Sequence, residues 1–407
     1  MKNNNALIGL VFAWAGLMAG GAQAASDEKV GSAVSEDSAA PVLHAGGASF
    51  YPGISLVEMH NDNLLKRDVN KISSNVTVLS PSVLMQAKSA ANVYSLGYRA
   101  DIGRYASSSA DNFEDQSLWG VADLSLSSRA SVRLNPQFTI GHDERGSTYS
   151  ALTRVPNTWH KAGGEGQFAY GTEDSQGRIV VDASFYDVKY QNNRTITTAF
   201  DKTLAGIGGT FYLRMAPKTF AFVQASDMRI DYDDAASKHL NSYEDRVMLG
   251  VTWKATAQTT GTFKAGALQK RFDNGSHPTF RGASWEGGLR WSPREFLRLD
   301  LTSVRKTTES TGVGSFVLIT NHTADLAYDL TERSTLHLIG GKLREEFHQN
   351  GRVDNTPSYG LKADYKLRNW LKVGADYTRA VKSSSGFTGL NPEYHNNIFS
   401  VYLRSEL

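Results

Sequence analysis

The chain has 407 residues, no cysteine and a formal net charge of +2 at pH 7. The lack of cysteine excludes disulfides, thiolate metal sites and thiol catalysis, and the weak net charge does not favour nucleic acid as a partner. Mean hydropathy is −0.36 and only the N-terminal region has a long apolar stretch, so a helical membrane protein is excluded. Glycine (37), tyrosine (17) and phenylalanine (18) are frequent and proline (10) is scarce, which favours strands and turns.

The N-terminal segment is predicted to be removed rather than folded. Residues 1–24 combine Lys2, an apolar stretch over 6–19 and a final small-x-small triplet, "AQA", which is the pattern of a secretory signal peptide. The apolar stretch is shorter than the ~20 residues that a membrane anchor needs. Residues 25–48 are small and polar and are predicted to be a disordered periplasmic lead-in, which leaves 49–407 for the folded domain.

From residue 49 onward, apolar and polar residues alternate in many short segments. Examples are "YSLGYRADI" (94–102), "RIVVDASFYDV" (178–188) and "DRVMLGVTWK" (245–254). A period of two places the apolar and polar sets on opposite faces of a β-strand. A periplasmic β-sandwich or jelly roll would show the same alternation, so a second feature has to decide between these folds.

Short and long connections alternate along the chain. Tight turns such as "SPREF" and "LTERST" are separated by long polar connections such as "HNDNLLKRDVNK" and "DYDDAASKHLNS". Outer-membrane barrels show this rhythm, because their periplasmic turns are short and their extracellular loops are longer. The sequence therefore predicts an all-β fold, a transmembrane antiparallel up-and-down β-barrel of about eighteen strands with eight short turns and nine long loops. The weak segments 74–86 and 159–170 leave sixteen strands as the alternative count.

Bulky aromatic residues recur just before the short turns. Trp253, Trp291, Tyr328 and Tyr365 end the apolar faces of four segments, and aromatic girdles of this kind mark a membrane interface. For any one of these residues the alternative is an ordinary strand aromatic. The charged residues occupy the other set of alternate positions along each strand, so they lie on the opposite face. This is expected of a wall with lipid outside and water inside, since a basic residue on the lipid face costs ~2–4 kcal/mol at mid-bilayer.

The chain ends in the alternating segment "NNIFSVYLRSEL". Phe399, Val401, Leu403 and Leu407 share one parity, which Ser405 interrupts. We predict that this strand pairs with the first one, which closes the barrel and removes both edges, and that its apolar face contacts lipid. Such a strand resembles the signal that the outer-membrane insertion machinery reads, although the usual last residue is phenylalanine rather than leucine.

The first strand and loop, "YPGISLVEMHNDNLLKRD", resemble the start of a family of outer-membrane β-barrel porins of Gram-negative bacteria, whose genes often lie beside those for exopolysaccharide synthesis and export. The matching residues are Tyr51, Pro52, Gly53, Glu58, Asp62, Asn63 and Leu64. The hairpins "AYDLTERSTLHL" and "DYKLRNWLKVGADYTR" also look typical, and the likeness runs from about residue 50 to 407. The resemblance implies a barrel that serves polysaccharide secretion, and it offers no catalytic residue to carry over.

No catalytic, cofactor or metal site is predicted, and the chain is not expected to be an enzyme. The sequence lacks the patterns of serine hydrolases, zinc proteases and P-loop proteins. Two loop clusters could serve catalysis and divalent-cation binding respectively, but neighbouring polar residues in a loop are usually solvated, and the second cluster lacks the glycine and distal glutamate of a calcium loop. The clusters are His142, Asp143 and Glu144, and Asp231, Asp233 and Asp234. The apolar segment "GSFVLIT" (314–320) is predicted to be the extracellular end of a strand.

Charged residues on the polar parity are predicted to line the lumen. They are Arg99, Asp101, Arg133, Asp182, Arg214, Arg246, Lys264, Arg290, Arg298, Asp300, Lys362, Asp364, Lys372 and Asp376. Such residues can set the selectivity of a pore, or opposite charges on facing strands can simply pair. Four basic residues are predicted to have no acidic partner, and their excess predicts a modest preference for anions. These four are Arg133, Arg214, Arg246 and Lys264.

These features predict a channel in the outer membrane of a Gram-negative bacterium that supports export of an exopolysaccharide. The alternatives are a general or substrate-specific uptake porin and a closed structural or receptor barrel. The expected partners are outer-membrane lipid and lipopolysaccharide, the barrel insertion machinery, a polysaccharide and periplasmic export components, but not nucleic acid. No cofactor is expected. The sequence leaves the substrate, the direction of transport, the openness of the lumen and the oligomeric state undetermined.

Overall fold

Long strands follow one another along almost the whole described chain. The computed structural model describes residues 43–147, 153–172, 174–254, 258–310, 314–386 and 392–405. The predicted signal peptide, residues 25–42 of the lead-in and Leu407 lie outside the described residues, so these three assignments stay predictions.

The strand bounds fit the predicted alternation of turns and loops. The strands are β1 (Leu43–Ala45), β2 (Ala48–Asn61), β3 (Ser74–Ser89), β4 (Asn92–Tyr105), β5 (Phe113–Ser125), β6 (Ala130–Asp143), β7 (Asn157–Tyr170), β8 (Gly177–Tyr190), β9 (Lys202–Ala216), β10 (Thr219–Tyr232), β11 (Ser242–Trp253), β12 (Thr259–Phe272), β13 (Phe280–Arg294), β14 (Leu297–Glu309), β15 (Phe316–Thr331), β16 (Ser334–Phe347), β17 (Val353–Arg368), β18 (Leu371–Ser385) and β19 (Tyr394–Ser405). The helical elements are α1 (Arg194–Thr197) and the 3₁₀ turns Ser109–Asp111, Thr198–Phe200, Ala235–Leu240 and Asp273–Gly275. Within the described ranges, none of the helices has the length and apolar character needed to cross a membrane.

The strands β2 to β19 form one closed antiparallel barrel. Each pairs with the next in chain order, and β19 pairs with β2 from the pair Arg404–Ser55 to the pair Ile398–Asn61. The predicted closure by the last strand and the predicted count of eighteen strands are therefore confirmed. The sixteen-strand alternative is wrong, because both weak segments form full strands, β3 and β7.

The N-terminal end of the fold begins earlier than predicted. Residues 43–48, which the sequence placed in the disordered lead-in, form β1, a turn and the first residue of β2. Gly46 and Gly47 have φ values of 59° and 81°, which glycine adopts without a steric penalty. The strand β2 extends past the last partner that β19 offers, and β1 pairs with Ala48 to Phe50, so that part of a free strand edge is covered.

The two faces of the wall differ as the alternation predicts. Large apolar side chains such as Ile207, Leu249 and Phe399 are exposed on the outer face, where they would contact lipid. Trp291, Tyr328 and Tyr365 each lie three residues before the end of their strand and are about half exposed. This common position on three strands, with Trp253 at the end of β11, matches an aromatic girdle at the end of the short turns, which is the periplasmic end.

Candidate functional site

The first loop, residues 62–73, turns into the barrel at its extracellular end. Asn63 is fully buried, and Leu64 and Leu65 are buried as well. The Asn63 amide donates to the carbonyl oxygens of Arg67 (2.7 Å) and His395 (2.9 Å), and its Oδ1 accepts from the Arg67 backbone N–H (3.0 Å). These bonds satisfy all the polar atoms of a buried amide and fix the loop to the start of β19.

Lys66 ties the first loop to the loop that follows β6, four strands further along the wall from β2. Its Nζ lies 3.0 Å from Oε2 of Glu144, in the loop that follows β6, and its side chain is buried. Burial would lower the pKa of Lys66, but the negative charges of Glu144 and, from β16, of Glu345 raise it above the ordinary value. The strands β6 and β16 lie about half of the ring apart. The negative charges of Glu144 and Glu345 both act on the Lys66 ammonium, so the ammonium is placed inside the barrel.

A glycine marks the contact between these two loops. Gly146 has a φ of 82°, and a Cβ added there would lie 2.2 Å from the carbonyl oxygen of Leu65. Any other residue would therefore force the first loop away. The first loop, Glu144 and Gly146 together narrow the extracellular mouth.

A second inward element is the extracellular end of the β14–β15 hairpin, residues 306–309 and 316–320, which we call the inner hairpin. The pairing of β13 with β14 stops at the pair Trp285–Arg305. Beyond that point β14 separates from β13, whereas β15 stays paired with β16 as far as Val317–Phe347, and both faces of β15 are buried over residues 316–320. The segment predicted from "GSFVLIT" is thus a strand end as expected, but it turns inward and packs against the inner face of β12 and β13 while remaining paired with β16.

Alternate residues of β14 and β15 face lipid in the lower part of these strands. In the inner hairpin, the same alternate set of residues packs against the inner wall of β10 to β13. Phe316 and Leu318 form an apolar cluster with Phe272 and Phe280, and the imidazole of His348 stacks on Phe316 with ring centres 4.3 Å apart. Burying these large side chains stabilises the inward position by ~1.5–3 kcal/mol each.

Carboxylates hold the same face of the inner hairpin to the wall. Glu309 accepts a hydrogen bond from the hydroxyl of Tyr232 (3.0 Å) and pairs with Lys270 (2.6 Å), and all three side chains are buried. Thr307 donates to Glu244, which lies on β11. Such buried pairs resist separation, because moving the hairpin would leave charges without partners.

The half-buried imidazole of His348 gives the inner hairpin a pH dependence that can be measured. Burial lowers the pKa of His348 below its ordinary value of 6.5; the negative charge of Glu346 opposes this shift, and the smaller effect of Arg305 adds to it. The packed state therefore favours the neutral ring, and its stability is lost as the pH falls below about 6.5. We expect channel conductance in planar bilayers to increase between pH 7.5 and pH 5. His348→Phe, which keeps the ring stacking, should remove that increase, and an unchanged increase in this variant would contradict the assignment.

The predicted lumen residues lie on the inner face, but those near the inner hairpin are not free to contact solutes. Arg246 pairs with Glu244 (2.6 Å) and with Glu286 (3.1 Å), and Lys264 pairs with Glu286 (2.9 Å). Arg246 and Lys264 are both buried. This network fills the lumen side of β11 to β13 beside the inner hairpin.

The prediction that four basic residues lack an acidic partner is wrong. Arg133 lies 3.5 Å from Asp123 and Arg214 lies 3.9 Å from Asp174, while Arg246 and Lys264 share Glu286. The acidic partners of Arg133, Arg214 and Lys264 come from a neighbouring strand or turn, so only the strand register reveals them, whereas Arg246 also pairs with Glu244, two positions away in the chain.

The remaining predicted lumen residues lie mostly in the periplasmic half and are more exposed. Arg290 (2.6 Å) and Arg298 (3.1 Å) share the carboxylate of Asp300, and the side chain of Arg290 is 58% exposed. The other contacts of this set are Arg99–Asp101 (2.7 Å), Asp182–Gln167 (2.7 Å), Lys362–Asp364 (3.3 Å) and Asp376–Ser400 (2.9 Å). Lys372 faces Lys366 across the register of β17 and β18.

In each of the two loop clusters that the sequence suggested, the side chains contact different partners rather than one another. His142 contacts Asp115 (2.9 Å), Asp143 accepts from Trp159 (2.9 Å), and Glu144 pairs with Lys66. The three side chains therefore do not converge on one point as a catalytic group would.

The aspartate cluster is likewise taken up by basic side chains. Asp231 pairs with Arg229 (2.5 Å) and Asp233 with Lys189.

Several residues that shape the lumen are not among those predicted from the sequence, since they lie where a strand joins a loop. These are Lys66, Glu244, Lys270, Glu309, Glu345, Asp354 and Lys382.

Solved structures of similar architecture are all remote in sequence. OccAB2 of Acinetobacter baumannii is 10% identical, with a TM-score of 0.49, over 88% of this chain and 97% of that one. OpdK of Pseudomonas aeruginosa, solved with vanillate, is 11% identical with a TM-score of 0.49, over 88% and 98%. The ferric enterobactin receptor PfeA of Pseudomonas aeruginosa is 6% identical with a TM-score of 0.44, over 87% and 80%.

A family model accounts for nearly the whole folded chain. The model described as "Putative beta-barrel porin 2" matches residues 43–406, and no curated protein matches the chain. The family and the closed barrel place the protein in the outer membrane of a Gram-negative bacterium. The chain is an outer-membrane β-barrel porin and belongs to the family "Putative beta-barrel porin 2".

Proposed function

We propose that this porin is a non-enzymatic channel for the uptake of small polar solutes. The observation that carries the proposal is the narrowing of the extracellular mouth by the first loop and the inner hairpin. A solute has to pass beside these two elements, so the space left between them and the wall, rather than the eighteen-strand ring, limits its size.

Export of an exopolysaccharide, which the resemblance implied, is not supported by these features. A polymer needs a continuous wide path, or elements that move aside for it. Both inward elements are instead held by buried ion pairs and packed aromatic rings, as at Glu309 and Phe316. The alternative reading, uptake of a small solute, fits a fixed constriction better.

The lumen charges predict weak ion selectivity. Most of them are paired, and charges more than about 8–10 Å away are screened at physiological salt. In the periplasmic half, the exposed Arg290 and Arg298 share the single carboxylate of Asp300, so we expect a preference for anions of no more than a few-fold. Reversal potentials under a salt gradient in planar bilayers would measure it, and Arg290→Gln should reduce it.

The same recordings test whether the protein is a channel at all. The purified barrel should give discrete, stable conductance steps. Clear cation preference would contradict the charge assignment, and a complete lack of conductance would favour a closed receptor barrel instead.

A further inference from the structure

The inward step of the inner hairpin leaves a hollow on the outer, lipid-facing side of the barrel. This hollow spans β11 to β16 and has a volume of about 640 Å³. Its apolar walls and its floor of small residues are formed by Trp253, Phe263, Leu289, Leu301, Gly287 and Gly340. A Cβ added at Gly340 would meet no atom within 4 Å, so this part of the floor is open space.

The extracellular end of the hollow is polar and basic. His322 Nδ1 lies 2.9 Å from Ser303 Oγ, which also accepts a hydrogen bond from the indole of Trp285 (2.8 Å). Lys342 and Arg344 are exposed on the same side, and Arg344 Nε lies 3.2 Å from the carboxylate of Glu346. Lys342 forms no ion pair with any residue in the described part of the chain.

A basic residue at this position is unexpected on a lipid-facing wall. Lys342 lies eight residues after Ser334, where β16 begins, and a membrane strand needs ~9–11 residues to cross the bilayer. The ammonium therefore lies near the upper boundary of the apolar band, at the level where lipid headgroups begin. An anionic group above acyl chains would supply the missing partner.

We propose that the hollow binds lipid A of lipopolysaccharide from the outer leaflet. A lipid A phosphate would lie against Lys342 and Arg344, and an acyl chain would occupy the apolar space over Gly340. The order of the two surfaces, basic toward the outside and apolar toward the membrane centre, matches the orientation of this lipid. A second copy of the barrel fits less well, because a close interface needs a flat or complementary surface, and this one is concave.

Native mass spectrometry of the detergent-purified full chain with added lipid A tests the proposal. The wild type should retain one lipid A per barrel. The double variant Lys342→Gln, Arg344→Gln removes the cations, and Gly340→Leu fills the floor without changing charge. The double variant should reduce retention about thirtyfold, since each of the two basic residues near an anionic lipid surface contributes ~1 kcal/mol. Gly340→Leu should also reduce retention, because its side chain occupies the space proposed for the acyl chain.

Two matched substitutions on the outer face serve as controls. Arg104→Gln removes a half-exposed basic residue of β4, and Gly209→Leu fills open space on β9; both should retain lipid A as the wild type does. Heat-modifiable mobility shows that each variant is folded. Equal retention in all variants, equal retention of phosphatidylglycerol, or a change of subunit number caused by Gly340→Leu would each overturn the proposal.

Discussion

Replacing residues 65–71 of the first loop with two glycines is expected to raise single-channel conductance several-fold and to admit larger solutes. The chain ends at this cut are already close, because the Leu64 N–H bonds the carbonyl oxygen of Ile72 at 2.8 Å. The deletion removes Lys66 and the contact of Leu65 with Gly146, so that the mouth is left with the inner hairpin alone.

A pair of single substitutions in the same loop separates narrowing from simple loop damage. Lys66→Met removes the tie to Glu144 in the loop that follows β6 and should raise conductance and its noise. Lys71→Met removes a contact to His395 on the nearby wall and should change conductance little. If the deletion leaves conductance unchanged, the first loop does not limit passage.

Glu309→Ala is expected to destabilise the barrel by ~3–5 kcal/mol, because it leaves a buried ammonium without its closest carboxylate. Among the carboxylates of the described residues, Lys270 Nζ would keep Glu244, at 4.0 Å, and the hydroxyl of Tyr232 would lose its acceptor. Guanidinium unfolding of the refolded barrel in detergent measures the loss.

The control for this substitution is Glu114→Ala. Glu114 also pairs with an arginine, Arg104, but both side chains are about half exposed, and exposed pairs contribute ~0–1 kcal/mol. Equal losses of unfolding free energy in the two variants would show that the inner hairpin is not held by its buried ion pair.

The wall of the barrel could be predicted from the sequence because it depends on local periodicity. Alternation fixes the face of each residue, and connection length fixes the end of the barrel at which each strand turns. Tyr328 and Tyr365 could be placed at the girdle by counting back from the next turn. No long-range information is needed for these features, since each strand repeats the same local rule.

The narrowing of the lumen could not be predicted in this way. The parity of Thr307 and Glu309 assigns them to the lipid face, and they lie on that face of the hairpin. The end of the hairpin, however, separates from β13 and turns inward, so that this face meets Glu244 and Lys270. The step depends on the register between β13 and β14, which periodicity does not contain.

The position of the first loop could not be predicted from local periodicity either. Asp62, Asn63 and Leu64 were singled out as a shared pattern without a physical role. In the structure, Asp62 accepts from Asn397, and Asn63 bonds His395. These partners are more than 300 residues away in the chain, so only the closure of the barrel brings them together.

Liposome swelling with a graded series of sugars tests the central claim, that two fixed inward elements restrict this porin to small solutes. We predict rapid entry of monosaccharides, a steep fall in rate with solute size, and no measurable entry of a polysaccharide. The variant lacking residues 65–71 should shift the cut-off to larger sugars. Equal entry of mono- and long oligosaccharides into liposomes that contain the wild-type protein would contradict the account.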